Sequence, residues 1–573
     1  MKTRAVLSLL LVFLLLCALP GAAAKATPAE DLRDALDSYI EEHAATTAGL
    51  AVCVFDGEST TYENFVGYAD TENRLPVTEE TVFEWGSVSK LTVWVSVMQL
   101  REQGLLDLNA DIRDYLPEGF LRNLRFETPV TLLDLMNHRA GFQELVTEIF
   151  LPEGEPIPSL EEALQKHMPA QVYAPDTVTA YSNWGNALAA YIVQRVSGED
   201  YCDYVHAHIF APLGMAHTAL APDLHDNPWV REQREKLQCY TTDAKLIPGC
   251  FYAIPLYPCG MVTGTLADLT AFARALLTDD SPLFARPETV RELFSPSSVY
   301  PGTDIPWCCH GFWMEFFGVP VCGHGGNTAG CSSYLLLDRE NGRGMTVMTN
   351  QYGESVYNID MPALVFGTYE PDMERTLPKG IYRSARTVFR GPLKIYSVMM
   401  ITLFTKDDLE NFWLFDGESV YFPYGSMTRI PTATAVWELL LLLGFALSVL
   451  YSAGLLLSWP IGALRRKKRG LAPREDARRV LRRWIAALPL LTAGLIAFAV
   501  VQLFRYAPTR CYRWCFVAAF LLVLALPVLA ILYLRKPRAE GKGARALDIF
   551  ALLALAALEA NLLYWQLFAF WAL

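Results

Sequence analysis

The first three quarters of this sequence lack any excess of positive charge. The chain has 573 residues, with 48 Lys and Arg against 61 Asp and Glu. Residues 432–573 hold 18 of the basic and 6 of the acidic residues, so residues 1–431 are strongly acidic. Nucleic-acid binding depends on basic side chains that neutralise phosphates, and this excludes a nucleic acid as partner. The sequence also lacks internal repeats and low-complexity stretches.

The twelve cysteines lack the spacing of a zinc site. An odd number in one exported domain cannot all pair, and free cysteine usually behaves as a small buried hydrophobe. Cys239 is placed for a loop disulfide with either Cys250 or Cys259. The two histidines of HAH at 206–208 are no better metal site, because residues two apart on a helix do not face each other. Nine cysteines lie between residues 25 and 431: Cys53, Cys202, Cys239, Cys250, Cys259, Cys308, Cys309, Cys322 and Cys331.

The first long apolar run is a targeting segment. Lys2 and Arg4 precede AVLSLLLVFLLLCALP, and the small residues of GAAAKA follow. This order is typical of a signal peptide, here residues 1–24 with cleavage after Ala24. The rest of the chain is therefore expected to begin outside the cytoplasm.

The other long apolar runs lie in the last quarter of the chain. The connections 465–483 and 535–545 hold ten and five Lys or Arg, and the connection 505–513 holds three. The positive-inside rule places the two more basic connections in the cytoplasm, which leaves residues 25–434 outside. The sequence thus predicts a multi-pass cell-membrane protein with an extracytoplasmic domain and the lipid bilayer as a partner. The four runs long enough to span a bilayer are about 435–459, 484–504, 514–534 and 547–570.

The remaining residues predict an α+β fold. Residues 30–44 have the pattern of an amphipathic helix, and GLAVCVFDGESTTYENFVGYAD has the pattern of a hairpin. VPVCGHGG, CSSYLLLD and GMTVMTNQ are late strands, so residues 25–365 are predicted to form one sheet from N- and C-terminal strands with helices between them. Residues 366–431 are rich in aromatic and β-branched residues with glycine breaks, which predicts a small β-rich module.

The stretch FEWGSVSK at 83–90 is a candidate nucleophile site. If a helix begins near Ser87, Lys90 lies on the same face and reaches its hydroxyl. Free backbone N–H groups at the helix start favour a developing oxyanion. Burial would help Lys90 lose its proton and act as a base. The alternative is that Ser87 only caps the helix and Lys90 is solvated.

Two further stretches carry candidate site residues. TAYSNWG supplies Tyr181 and Asn183, although a second Y-x-N occurs at Tyr62 and Asn64. GHGGN supplies His324, Gly325 and Gly326 ahead of a strand pattern, and glycines within a strand indicate the close approach of another group. The alternative is a glycine-rich turn with a surface histidine.

The order Ser-Lys, Tyr-Asn, His-Gly resembles the serine β-lactamase and penicillin-binding-protein superfamily. The resemblance is to the class C β-lactamase branch with its D-aminopeptidase and esterase relatives. It covers about residues 45–351, including TLLDLMNHRAGF, PLGMAHT and GMVTGTLADLTAFARALL as well as the three motifs. It implies a β-lactamase/transpeptidase-like domain, in which an antiparallel sheet is flanked by helices and joined to an all-α subdomain.

The resemblance also implies roles for individual residues. Ser87 would attack a carbonyl and form an acyl-enzyme, Lys90 and Tyr181 would exchange the protons in an order that stays open, and Asn183, His324 and Gly326 would contact substrate. The backbone N–H groups of Ser87 and Asn327 would form the oxyanion hole, where one donor is worth about 2.7–4 kcal/mol. No metal or organic cofactor is implied.

The sequence departs from the family pattern at three places. His324 stands where β-lactamases carry lysine, APD at 174–176 replaces Pro-Gly, and Arg139-Ala140 replaces Thr-Ser. The expected function is a membrane-anchored serine hydrolase of an ester, amide or D-peptide bond, with small molecules or peptides, including cell-wall-derived ones, as substrates. The alternatives are a penicillin-sensor-like protein and a catalytically silent binding protein of the same fold; protein partners are not predicted.

Overall fold

Nine antiparallel strands form the main sheet of the described part of the chain, in the order 298–299, 306–309, 312–316, 320–327, 332–338, 343–349, 49–56, 60–70 and 75–76. The computed structural model describes residues 32–368, 378–405, 414–422, 425–471, 476–537 and 541–573, so the predicted signal peptide lies outside the described residues. The strands are β1 Gly49–Asp56, β2 Thr60–Asp70, β3 Leu75–Pro76, β4 Val82–Glu84, β5 Leu151–Pro152, β6 Thr218–Ala219, β7 Cys239–Tyr240, β8 Leu246–Ile247, β9 Tyr252–Ala253, β10 Thr263–Thr265, β11 Ser298–Val299, β12 Pro306–Cys309, β13 Phe312–Phe316, β14 Pro320–Asn327, β15 Ser332–Asp338, β16 Arg343–Thr349, β17 Ile381–Ser384, β18 Ile401–Thr402, β19 Leu414–Phe415, β20 Ser419–Phe422 and β21 Gly425–Ile430.

The helices lie before, between and after these strands. They are α1 Leu32–His43, α2 Lys90–Glu102, α3 Leu132–Met136, α4 Leu160–Lys166, α5 Asn183–Ser197, α6 Tyr201–Val205, α7 Pro228–Lys236, α8 Leu266–Ala275, α9 Pro287–Leu293, α10 Pro362–Phe366, α11 Tyr396–Met399, α12 Thr432–Lys468, α13 Ala477–Phe504, α14 Arg513–Leu534 and α15 Lys542–Tyr564.

The centre of the main sheet joins the two ends of the domain, as the sequence predicts. Strand β1 pairs with β2 in the predicted hairpin and with β16 on its other side, where Val52 faces Val347. Every residue of β15 and all but the last of β1 are buried, because both faces of the sheet are covered by apolar clusters. Burial on both faces explains why β1 is apolar from Leu50 to Phe55 rather than alternating between apolar and polar residues.

The helix α2 is also buried nearly all round. Eleven of its residues, from Lys90 to Leu100, are buried, and Trp85 and Trp94 are among the largest fully buried side chains. A helix that is apolar on every face belongs in the interior of a large domain. Burial of α2 carries the residues at its start into the core of the fold.

The chain divides into two compact units. Unit 1 contains residues 1–145, 149–378 and 404–427, and unit 2 contains residues 146–148, 379–403 and 428–573. The predicted β-rich module, residues 366–431, does contain strands, but its residues are shared between these two units. In unit 1 β19 pairs with β20, and in unit 2 β17 pairs with β18.

In the described part of unit 2, four helices, α12 to α15, are long and apolar enough to cross a membrane. Most ends of these helices lie beyond the ends of the four predicted spans. The last helix stops at Tyr564 rather than near residue 570, because Gln566 adopts a left-handed backbone with φ of +54° that ends the helix.

Two buried polar clusters lie at the ends of these helices. The carboxylate of Glu438, near the start of α12, accepts hydrogen bonds from Arg383 and, at 2.8 Å, from Tyr564 at the end of α15. The carboxylate of Asp548, near the start of α15, accepts from Arg478 at 2.8 Å, from Arg482 at 3.0 Å and from Tyr533. The first cluster therefore joins the start of α12 to the end of α15, and the second joins the starts of α13 and α15 to the end of α14.

Candidate active site

Ser87 lies in a tight turn immediately before the helix α2. Residues Gly86–Ser89 form a single 3₁₀ turn, and α2 begins at Lys90. Hydrogen bonds to Val262 hold the turn in place. The Trp85 N–H donates to the Val262 carbonyl at 2.8 Å, and the Val262 N–H donates to Ser89 Oγ at 3.1 Å. Ser87 itself is half-buried and stays accessible from one side.

Two proton-carrying side chains converge on the hydroxyl of Ser87. Lys90 Nζ lies 3.0 Å from Ser87 Oγ, and the Tyr181 hydroxyl lies 2.7 Å from it. Lys90 Nζ also donates to the Cys259 carbonyl at 2.6 Å and lies 4.9 Å from the centre of the Tyr181 ring. Lys90 is fully buried, so the alternative of a solvated lysine is wrong. This is the geometry of a nucleophile with a base in hydrogen-bond reach, and it leaves open which of the two takes the proton.

The predicted oxyanion donors lie where strand β14 meets the nucleophile turn. A methyl group on Gly326 would stand 2.0 Å from the Trp85 carbonyl oxygen and 3.0 Å from the Ser87 nitrogen. A methyl group on Gly86, whose φ is +52°, would stand 2.7 Å from the Asn327 nitrogen. Two glycines are therefore required so that the backbones of Ser87 and Asn327 can approach each other.

This contact changes the interpretation of Gly326. The sequence predicts space for substrate beside the glycines of β14, but the neighbour of Gly326 is the backbone of the nucleophile turn. The neighbour of Gly325 is the ring of Tyr334. Contact between Gly326 and substrate stays a prediction, as does the oxyanion hole, and the structure shows that Gly326 lets strand β14 approach the turn of Ser87.

Tyr181 is held in place by the loop that precedes helix α5. The Ser182 side chain caps α5 by accepting from the Gly185 N–H at 2.9 Å, and the Ser182 N–H donates to His138 Nδ1 at 3.2 Å. The His138 ring lies 4.4 Å from the ring of Tyr181. Asn183 is the first residue of α5 and is half-buried, and its predicted contact with substrate stays a prediction.

Two departures from the family pattern contact each other. Arg139 Nε donates to Asp176 Oδ1 at 2.6 Å, a second Arg139 nitrogen donates to the Asp176 carbonyl at 2.6 Å, and the Asp176 N–H donates to the Arg139 carbonyl at 2.9 Å. Asp176 has a φ of +59°, a conformation that glycine adopts most easily. The pair ties the loop before Tyr181 to the loop after α3, a contact that sequence reasoning missed because the residues are 37 apart.

His324 is fully buried beside the Ser87–Lys90–Tyr181 group. Its ring stacks on Trp313 with 3.8 Å between ring centres, and its Nδ1 lies 2.6 Å from the Gly325 carbonyl. Burial and the nearby charge of Lys90 lower the pKa of His324 from 6.5 to about 3. The ring is therefore neutral at physiological pH, and the alternative of a surface histidine is wrong. Its direct contact with substrate stays a prediction.

An aromatic cluster surrounds Tyr181. Its buried members are Tyr181, Tyr300, Trp307, Cys308 and Trp313. Leu414 and Tyr421, which face each other across the accessory hairpin (residues 414–422), pack on this cluster. Sequence reasoning predicted strands in the region of the hairpin, but it missed Trp313 and the packing of the hairpin on the Tyr181 cluster, because these contacts join residues far apart in the chain.

The chain segment after the hairpin also contacts the loop that carries Tyr181. Ala180 forms an isolated bridge with Gly425, and the Ser426 N–H donates to the Thr179 carbonyl at 3.0 Å. These contacts anchor residues next to the accessory hairpin within one residue of the candidate catalytic tyrosine.

The second Y-x-N copy has a different environment. The Tyr62 hydroxyl donates to Asp37 in α1 at 2.5 Å, and Asn64 Nδ2 donates to the Tyr62 oxygen at 3.0 Å. Neither residue takes part in the Ser87 group.

A disulfide joins Cys239 to Cys250, which decides between the two pairings that the sequence predicts for Cys239.

Known proteins resemble this chain over the same region. Penicillin-binding protein 4 of Amycolatopsis lactamdurans is 28% identical over 337 residues, which cover 56% of this chain and 84% of that protein. Penicillin-binding protein 4* of Bacillus subtilis (strain 168) is 23% identical over 342 residues, covering 57% and 72%. The D-amino acid amidase structure from Ochrobactrum anthropi SV3 with D-phenylalanine matches at a TM-score of 0.49 and 23% identity, covering 59% of this chain and 98% of that one.

A family model extends over more than half of the chain. The Beta-lactamase model matches residues 36–369, which include the nucleophile turn, the loop of Tyr181 and strand β14. The domain therefore has the β-lactamase/transpeptidase-like fold that the motifs predict. On the match of this model and the geometry around Ser87, the chain belongs to the Beta-lactamase family.

Proposed function

We propose that this protein is a membrane-anchored serine hydrolase that acts outside the cytoplasm through an acyl-enzyme at Ser87. The observation that carries the proposal is the position of the Ser87 hydroxyl, 3.0 Å from Lys90 Nζ and 2.7 Å from the Tyr181 hydroxyl. Ser87 would attack the carbonyl of an ester, amide or D-peptide bond, and one of the two neighbours would take its proton. The other would complete proton transfer to the leaving group.

The penicillin-binding proteins among the relatives support the same chemistry. Two relatives are named as penicillin-binding proteins, and penicillin contains a reactive cyclic amide whose carbonyl a serine can attack. The neutral His324 favours substrates without a free carboxylate, because it supplies no positive charge at the position where β-lactamases have lysine. Simple esters and D-amino acid amides are therefore the preferred substrate class.

The membrane part of the proposal rests on the helices α12 to α15 and on their charges. The basic connections, residues 465–483 and 535–545, follow α12 and α14, and the polar cluster of Asp548 lies at that end of the helices. The positive-inside rule then favours a catalytic domain outside the cytoplasm. The cytoplasmic connections are too short to form an effector domain, which disfavours a signalling sensor.

A fluorophosphonate probe tests the proposal on the full chain in detergent. The wild type should be labelled covalently and Ser87→Ala should not. Tyr181→Phe should slow labelling by roughly 10²–10⁴-fold, the range for loss of a positioned acid or base. Tyr62→Phe is the matched control, because it removes the same hydroxyl from the same motif at a site that contacts Asp37 instead.

Two outcomes would replace the proposal. If the wild type is not labelled although it is folded, the chain is a binding protein of this fold. If Ser87 is acylated but the acyl group is not released on prolonged incubation with a p-nitrophenyl ester, the protein is a sensor rather than a hydrolase.

A further inference from the structure

Three metal-binding side chains of different kinds meet on the surface of unit 1. Cys202 lies in α6, His206 begins the short π-helical turn His206–Phe210 that follows it, and Asp226 lies in the loop before α7. One ligand atom of each lies within 4.8 Å of the others. Cys202 and His206 are four residues apart, so they share one face of the helical segment.

The distances between these atoms are close to those of a zinc complex. His206 Nε2 lies 2.8 Å and Cys202 Sγ lies 3.5 Å from Asp226 Oδ2. Zinc bonds of about 2.0–2.3 Å to N, O and S in a tetrahedron place two ligand atoms roughly 3.3–3.6 Å apart. The third pair, Cys202 Sγ and His206 Nε2, lies within 4.8 Å, so side-chain shifts of about an ångström would admit the ion.

A second observation at Asp226 points to a ligand at this cluster. The Asp226 side chain is only 9% exposed. Its Oδ2 also accepts from the Leu220 N–H at 2.6 Å. The Ala221 N–H lies near the carboxylate, but the buried Oδ1 forms no hydrogen bond of normal geometry within the residues that the structure describes. A buried carboxylate with an oxygen that lacks a partner is costly, and the positive charge of a cation bound to Asp226 would offset that cost.

We propose that Cys202, His206 and Asp226 form a zinc site, distinct from the Ser87 site, with water in the fourth position. Cys202 would bind as thiolate after releasing one proton, His206 through Nε2 as the neutral ring, and Asp226 as carboxylate held by the Leu220 N–H. A soft thiolate with an imidazole favours Zn²⁺ over Mg²⁺ or Ca²⁺, which prefer oxygen ligands.

A zinc ion bound here would link α6 to the loop before α7 and would thereby stabilise the domain. The residue before Cys202, Tyr201, is fully buried, and its hydroxyl lies 3.1 Å from Thr92 Oγ1 in the nucleophile helix α2. A zinc ion that fixes α6 would thus fix a neighbour of α2. Catalysis does not pass through the ion, so the test of this site is independent of the Ser87 labelling test.

The experiment measures Zn²⁺ and Co²⁺ on the full chain purified in detergent without a metal-binding tag. The wild type should retain one equivalent of zinc after desalting, and the Co²⁺ form should show thiolate-to-cobalt charge-transfer absorption. Cys202→Ser, His206→Gln and Asp226→Asn should each weaken binding at least tenfold, and Cys202→Ser should abolish the charge-transfer band. EDTA should lower the melting temperature of the wild type but not that of Cys202→Ser.

His208→Gln is the matched control, because His208 pairs with Glu199 two residues further along the same segment and should leave zinc binding unchanged. A cooperative thermal unfolding transition of each variant shows that it has folded. Wild-type protein that holds less than a tenth of an equivalent of zinc, or zinc that all three variants retain, would overturn the proposal.

Discussion

At the scale of single residues, His324 decides which substrates the Ser87 group should accept. A lysine at this position would carry a fixed charge for a substrate carboxylate, whereas burial keeps His324 neutral. We expect kcat/KM for p-nitrophenyl butyrate to exceed that for nitrocefin, whose carboxylate finds no such partner. His324→Lys should shift this ratio at least tenfold towards nitrocefin, and His324→Gln, which adds no charge, is the control. Faster turnover of nitrocefin by the wild type would contradict this prediction.

The buried ring also predicts a dependence of stability on pH. The pKa of His324 is about 3 in the folded protein and about 6.5 in an unfolded chain, so below pH 6.5 only the unfolded state takes up the proton. As the pH is lowered from 6.5 to 3, the free energy of unfolding should therefore fall by about 1.4 kcal/mol for each pH unit. Above pH 6.5, this residue should not change the free energy of unfolding. Melting temperatures of wild type and His324→Gln between pH 4 and 8 measure the effect. Parallel curves for the two proteins would show that His324 does not titrate in this way.

The sequence could identify residues whose partners lie close along the chain. Ser87 and Lys90 are three apart, and one helical turn brings them together, so their contact follows from the motif alone. The stacking of Trp313 on His324 and the pairing of Arg139 with Asp176 could not be predicted in this way. Both contacts depend on how separate strands and loops pack in the folded domain. Only the pair of Arg139 and Asp176 has a signal in the sequence, because both residues depart from the family pattern.

At the scale of elements, the accessory hairpin should limit the size of the substrate. Leu414 and Tyr421 pack on the cluster that contains Tyr181, and the Tyr421 ring lies 6.2 Å from that of Tyr300. Tyr421→Ala removes the ring that packs on the Tyr181 cluster and should leave room for a longer acyl chain. We therefore expect kcat/KM for long-chain esters, relative to that for p-nitrophenyl acetate, to rise by about 10-fold or more, which is the effect of one or two methylene contacts.

Tyr421→Phe separates the role of the ring from that of the hydroxyl. This variant loses only the 2.7 Å hydrogen bond to Asp416 and keeps the ring, so it should retain the wild-type preference. An unchanged chain-length profile in Tyr421→Ala would show that the hairpin does not border the bound substrate.

Long elements were predictable and short ones were not, for a physical reason. The helices α2 and α5 and the strands β1, β2, β15 and β16 are long enough for burial to impose a clear hydrophobic pattern. Strands β17 to β20 have two to four residues, and the pairings that stabilise them are not encoded in their own sequence. Residues 366–431 therefore indicated β-structure but not which strands would pair.

At the scale of the whole molecule, the orientation in the membrane can be tested with Cys511. This exposed cysteine lies in the connection between α13 and α14, which the proposed topology places outside the cytoplasm. A membrane-impermeant maleimide should label Cys511 in intact cells, and Cys511→Ser should lose that label. Leu471→Cys, placed in the basic connection after α12 in the Cys511→Ser background, should be labelled only after the cells are permeabilised. Labelling of Leu471→Cys in intact cells, with labelling of Cys511 only after permeabilisation, would show that the protein has the opposite orientation.

The division of the chain between its two units has a consequence for fragments of this protein. The chain leaves unit 1 after residue 378, contributes residues 379–403 to unit 2, returns to unit 1 for residues 404–427 and then continues into the helices α12 to α15 of unit 2. A protease or an expression vector that cuts at 378 would release Ser87, Lys90 and Tyr181 together but would remove Leu414 and Tyr421. A cut at 431 would keep the hairpin but detach Arg383 from Glu438. We therefore expect a fragment that ends at 378 to differ from the full chain in its preference for substrate length, and a fragment that ends at 431 to keep that preference.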